Sequence, residues 1–195
     1  MLFSKKSFCV LTLFGAALLA GCQSQSNTIL FTTPVPTASF NTQNQTAAVN
    51  VTTYDLRNSA EVASYTTAGN VQKLTAVPDV RQLFQQTMQQ NLNSKGFGVV
   101  PANGNVNLVV NVKKFFANVE QGNLRHKISS EIALEVQVQG AKGNFTKNFN
   151  TTRAYEGAFG ADNNGIRKVL NQTYSEIIQS IYNDNELTQA IHYLK

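Results

Sequence analysis

From Ile128 to Val138 the chain alternates without a break: Ile128, Ser130, Ile132, Leu134, Val136 and Val138 interleave with Ser129, Glu131, Ala133, Glu135 and Gln137. Successive side chains of a strand point to opposite faces, so this period of two demands a strand with one buried and one wetted face. Such a strand needs an apolar layer over it and pairing partners beside it. The sequence supplies both partners. Before it, Val106, Leu108, Val110 and Val112 alternate with Asn107, Val109 and Asn111, followed by a turn at Gln121-Gly122-Asn123. After it, the turn Gly140-Ala141-Lys142-Gly143 leads into Phe145, Lys147, Phe149, Thr151, Arg153 and Tyr155, alternating with Thr146, Asn148, Asn150 and Thr152. Short turns between alternating runs make hairpins, so these segments predict a meander of three antiparallel strands with one apolar and one polar face.

The covering layer is also legible. Pro78-Asp79 opens a helix that Asp79 caps, with Gln82 placed as in a capping box, an apolar stripe of Val80, Leu83, Phe84, Met88 and Leu92, and Gly96 as a left-handed stop. Asp162 caps a second helix whose stripe is Ile166, Val169, Leu170, Thr173, Tyr174, Ile177, Ile178 and Ile181. Leu187, Ala190, Ile191 and Leu194 suggest a short terminal helix. An N-terminal strand is marked by Val49, Val51 and Thr53, with a further short strand possible between Val71 and Ala76. The order predicts an α+β two-layer domain over residues 47–195, its antiparallel sheet covered on one face by two main helices.

The N-terminus carries a different message. Lys5 and Lys6 precede an apolar run from Phe8 to Ala20, which ends in Leu19-Ala20-Gly21-Cys22. A charged start, a run too short to span a bilayer and small residues before the cut make residues 1–21 a secretory signal. The cut at a cysteine resembles the lipobox of bacterial lipoproteins. That resemblance implies diacylation of the Cys22 thiol, removal of the signal and anchoring through lipid; Gln23 in place of aspartate implies an outer-membrane, periplasm-facing position. Residues 22–46 read as the lipidated N-terminus and a tether rich in Ser, Thr, Asn, Gln and Pro. A flexible chain of that length has an r.m.s. span of roughly 25 to 30 Å. Ile29-Leu30-Phe31 is its apolar exception, either floating with the tether or pairing as a short strand.

Composition narrows the function. Sixteen basic residues stand against eleven acidic ones; Lys5 and Lys6 leave with the signal, so the processed chain carries +3. With 14% charged residues and no basic run, a nucleic-acid partner is not expected. Cys9 lies in the signal and Cys22 is taken by lipid, so no disulfide is expected. The two histidines are separated: His126 sits between Arg125 and Lys127, whose charge repels a metal ion, and His192 lies beside Tyr193 near the end of the chain. No nucleophile elbow, P-loop or dinucleotide fingerprint occurs, and neither a cofactor nor a metal is expected. Glu131 and Glu135, four residues apart on one strand, stand about 13 Å apart, too far for paired glycosidase carboxylates. Glu120, Glu131 and Glu156 are dispersed.

Lys147 and Arg153 share the parity of Phe145, Phe149 and Tyr155. They either snorkel from a sheet edge or, with Arg125, form an anion or partner contact. The opposite parity presents Asn107, Asn111, Gln137, Thr146, Asn148, Asn150 and Thr152, a face suited to another protein or to a glycan. The residues point to a non-catalytic binding or assembly module in the cell envelope, its partner an envelope protein or peptidoglycan. An envelope hydrolase is the weaker rival.

Three stretches carry a family likeness: Leu74-Thr75-Ala76 through Gly96-Phe97-Gly98, Asn118 through Arg125, and Tyr155-Glu156-Gly157-Ala158-Phe159. They resemble the YajG family of bacterial lipoproteins. The likeness runs from the lipobox nearly to the C-terminus and is densest between Leu74 and Gly160. It implies lipid modification at Cys22 and brings no catalytic residue and no assigned activity.

Overall fold

A computed structural model of the chain describes residues 27–36 and 40–195. The elements run β1 (Thr28–Leu30), a 3-10 turn (Thr42–Thr46), β2 (Ala48–Asp55), β3 (Glu61–Thr67), β4 (Asn70–Val77), α1 (Val80–Lys95), β5 (Gly98–Val100), β6 (Val106–Gln121), β7 (Arg125–Gly140), β8 (Gly143–Ala158), α2 (Asn163–Tyr182) and α3 (Asn185–Leu194). The domain is α+β. The expected meander is present as β6, β7 and β8, paired antiparallel along their length. The inward parity is as read: Val106, Leu108, Val110, Val112, Ile128, Ile132, Leu134, Val136 and Val138 are all buried.

The sheet is larger than that meander and it is mixed. Eight strands form it, where the sequence suggested three antiparallel strands and an N-terminal one. Free of β7, the other edge of β6 has two successive partners. β2 lies parallel to its first half, from Val49 opposite Val106 to Asp55 opposite Val112, and β3 lies parallel to its second half, with Ala63 opposite Ala117. β5 adds to β2, β4 to β3, and β1 to β4.

The exchange of partners happens at a bulge. Val112 faces Leu134 and Lys114 faces Ala133, leaving Lys113 as the extra residue of β6. A bulge twists its strand and disrupts the ladder locally. Arg57, in the loop from β2 to β3, closes the gap: its Nη1 donates to the carbonyls of Phe115 and Glu61, while Nε and Nη2 donate to the carboxylate of Asp55. Its side chain is only 8% exposed, so the ion pair also neutralises a largely buried charge. Beyond the bulge the inward parity moves by one, and Phe115 and Ala117 are buried.

Three helices cover the apolar face. Asp79, Asp162 and Asp184 each accept a hydrogen bond from a first-turn backbone N–H, as N-caps do, and Gly96 ends α1 at φ 95°. Helices α1 and α2 meet over β6. Tyr174 packs edge-on to Phe84 of α1 at 5.6 Å and to Phe31 at 5.8 Å, lies 6.4 Å from Phe115, and its hydroxyl is 2.5 Å from Thr87 Oγ1. Burial holds the Tyr174 hydroxyl well above its usual pKa, so it stays protonated and able to donate. Ser130 of β7 bonds Thr173 of α2 beside it.

The stretch read as tether through Thr46 carries structure. β1 runs parallel to β4, Ile29 and Phe31 are 1% and 4% exposed, and Asn44 is buried with its amide donating to the Lys95 carbonyl at 2.7 Å. Ile29-Leu30-Phe31 therefore pairs onto the domain, which includes residues ahead of Ala47. Three apolar residues among polar ones are enough here, because the open edge of β4 offers backbone partners and Phe31 completes the aromatic cluster.

Candidate functional site

On the face opposite the helices, Glu131 and Glu135, the two carboxylates of one strand, are engaged in ion pairs. Glu131 accepts from Lys114 at 2.6 Å and Glu135 from Lys113 at 2.5 Å. Glu135 also accepts from Asn111 at 3.0 Å and Gln137 at 2.8 Å. The Lys113 hydrogen bond, aided by the two amides, holds the Glu135 carboxyl down to about 2. A carboxylate so held is a poor proton carrier at neutral pH.

Beyond the bulge the same face hollows into a groove of about 570 Å³. Its floor follows the register: Phe116 lies opposite Glu131, which lies opposite Thr152, and Asn118 lies opposite Ser129, which lies opposite Ala154. Ser129 and Ala154 are small, while Lys114, Phe116 and Lys127 are long, so the hollow lies between them. The groove offers a half-buried aromatic ring, two hydroxyls, an amide and the exposed ammonium of Lys127. That set can hold a polar chain or ring by stacking and hydrogen bonding, and it includes no nucleophile with a base to activate it.

The predicted cations are not gathered into one site. Lys147 pairs with Asp184 at 2.5 Å and Glu186 at 3.0 Å, at the start of α3. Those hydrogen bonds, Asp184 first, raise its pKa. Arg153 pairs with Glu176 of α2. Both side chains tie β8 to the covering helices, in place of the edge snorkelling or partner contact that the sequence suggested. Arg125 is exposed at the far end of the sheet, lining a shallow hollow with Leu124, Glu156, Gly157 and Ala158. Cys22 and Gln23 lie outside the described residues. The histidines stand apart. His126 Nδ1 is 2.9 Å from the Phe159 carbonyl, whereas His192 Nε2 is 2.7 Å from Asn44 Oδ1. Among the described residues, no three His, Cys, Asp or Glu side chains cluster as metal ligands, and no helix is long and apolar enough to cross a membrane.

Sequence reasoning found the polar face and missed the groove, since Phe116 and Asn118 join that face only because the bulge shifts parity. One signal was available. The doublets Lys113-Lys114 and Phe115-Phe116 break the alternation where the extra residue sits.

Comparison with known proteins agrees with this architecture. A family described as uncharacterized lipoprotein matches residues 34–192. The chain belongs to that lipoprotein family. Its relatives include the uncharacterized lipoprotein YajG of Escherichia coli K12 and of E. coli O6:H1, each 29% identical over 191 residues that cover 97% of both chains. This is the YajG family that the sequence resembled. Among solved structures, protein XCC0632 of Xanthomonas campestris is similar in fold with a TM-score of 0.55, at 12% identity, covering 80% of this chain and 93% of its own.

Proposed function

We propose that this YajG-family lipoprotein is anchored by lipid on Cys22 at the periplasmic face of the outer membrane, where its domain is a non-catalytic binding module. The groove on the polar sheet face is its recognition site. The observation that carries this reading is the groove itself: it is open, sets Lys114 and Lys127 around the Phe116 ring, and its one acid, Glu131, is already paired with Lys114. Gln23, in the sorting position after the cysteine, supports the outer-membrane location, and membership of a lipoprotein family supports the anchor. A partner protein of the envelope fits the lysine-lined rim through an extended acidic segment. A second reading, direct binding of peptidoglycan, is favoured by Phe116, whose ring lies among Asn118, Ser129 and Thr152 as in a surface that stacks a sugar.

The test uses the full chain in detergent micelles, with Lys127→Glu and Phe116→Ala as groove variants. Retention of one discrete envelope protein that Lys127→Glu abolishes supports the first reading. Co-sedimentation with purified murein that Phe116→Ala abolishes supports the second. Turnover of murein by the unaltered chain, lost in Glu131→Gln, would make the protein an enzyme and overturn both.

A further inference from the structure

We propose that the end of the domain bearing the β6–β7 turn and the last residues of β8 rests on the bilayer that holds the anchor, with Leu124 and Phe159 entering the headgroup region of an anionic phospholipid surface. This rests on the reading of Cys22 as acylated and adds an orientation to it.

The geometry follows from chain length and register. Thr28 lies opposite Thr75, and Thr75 opposite Glu61. Arg57 Nη1 reaches the carbonyls of both Glu61 and Phe115, so these residues, and Thr28 with them, stand at one level of the sheet. Backward from Thr28 the chain still follows β4, since the Thr75 N–H donates to the Asn27 carbonyl at 2.9 Å. Because β1 is parallel to β4, that direction leads towards Asn70, where the β3–β4 turn lies beside the end of β6. Cys22 precedes Thr28 by six residues, which reach at most about 20 Å when fully extended. Gln121 follows Phe115 by six residues as well, about 20 Å of strand, with the β6–β7 turn projecting beyond it. Sheet twist only shortens the reach of the anchor along β6. Cys22 therefore cannot extend past this end of the domain, and an anchor that continues in the direction of β1 along β4 brings this end to the membrane surface.

The residues displayed there suit that surface. Leu124 and Phe159 are 75% and 76% exposed, side by side, the Phe159 N–H donating to the Leu124 carbonyl at 2.9 Å. Phe159 holds φ at 62°, a conformation that non-glycine residues adopt only where the surroundings enforce it. The enforcement is visible. His126, 9% exposed, bonds the Phe159 carbonyl through Nδ1, and Gly157 packs against its ring so tightly that a Cβ would lie 2.5 Å from Cε1. A buried histidine thus holds a large apolar side chain out in solvent. Around the pair stand Arg125 and Lys127, with Arg167 and Lys168 early in α2; the acids at this end are Glu120, Glu156 and the cap Asp162. Apolar tips ringed by cations match the boundary between acyl chains and anionic headgroups. Two such tips bind weakly alone, but a covalent anchor six residues from the sheet makes their contact intramolecular.

The chain has no tryptophan, so one introduced indole reports unambiguously. The full lipidated chain is reconstituted into vesicles of phosphatidylethanolamine and phosphatidylglycerol, with and without brominated acyl chains, as Leu124→Trp and as Tyr193→Trp. Tyr193 is 70% exposed beside Lys142, at the opposite end of the β7–β8 hairpin. Bromolipid is expected to quench Leu124→Trp and leave Tyr193→Trp bright. Intact mass of the same samples separates the two claims. An acylated Cys22 with equal quenching of both indoles, or of neither, overturns the orientation alone. An unacylated Cys22 overturns the anchor and the orientation together. A Leu124→Trp emission that is blue-shifted in whole envelopes but unquenched by bromolipid puts a protein on that end and also overturns the proposal.

Discussion

Phe31→Ala is the sharpest test of where the domain begins. Phe31 lies in a stretch whose composition reads as tether, yet it is 4% exposed and its ring meets Phe115 at 5.2 Å and Tyr174 at 5.8 Å, both edge-on. Truncation removes a buried aromatic and leaves a cavity walled by two further rings, which together cost about 3 to 5 kcal/mol for a Phe→Ala change in a core. Leu30→Ala, one residue away and 63% exposed, should stay within about 0.5 kcal/mol. Urea unfolding followed by far-UV circular dichroism measures both. A fall in midpoint for Phe31→Ala with an unchanged slope is expected, because a lost contact changes stability without changing the surface exposed on unfolding. Equal, small effects for the two variants would mean that β1 is not part of the core. The six-residue limit on the anchor would then fail as well.

Other expectations follow from particular contacts. Tyr174→Phe should cost about 0.5 to 1.5 kcal/mol by urea unfolding, as a neutral hydrogen bond does, because Thr87 keeps its bond to the Leu83 carbonyl at 2.8 Å. Glu135 has a folded pKa of about 2 against an ordinary 4.5, so its stabilising contribution is complete above about 4.5 and disappears as pH falls through about 2. Urea midpoints of the unaltered chain and Glu135→Gln should accordingly differ at pH 6 and converge near pH 2; a constant difference would refute the assigned network. Gly157→Ala should displace His126 and destabilise the chain by about 1 to 3 kcal/mol, read from the same unfolding curves. Cys22→Ser should accumulate as a precursor of unprocessed mass, and Gln23→Asp should shift the acylated form to the inner membrane on fractionation.

The sequence disclosed what local periodicity can encode. β7 was readable because every inward residue from Ile128 to Val138 obeys one parity, and the helix ends were readable because Asp79, Asp162 and Gly96 act through their immediate neighbours. β3 was not readable, since the irregularity between Glu61 and Ala63 buries Val62 and Ala63 in succession and erases the alternation. β5 is three residues long and exists through its pairing with β2. That β2 lies parallel to β6 is a choice between distant segments, which no local pattern records. The roles of Lys147 and Arg153 depended on Asp184, Glu186 and Glu176, carboxylates brought across from the helices by the tertiary fold.

The central claim is that the groove between Phe116 and Thr152 meets a partner in the envelope. Photo-crosslinking in living cells tests it most directly, with the reactive side chain placed in turn at Asn118 in the groove and at Gln172, exposed on the covering helix α2. A discrete adduct, protein or murein, is expected from Asn118 and none from Gln172. Equal labelling from both positions, or none from either, would contradict a binding module that works through its polar sheet face.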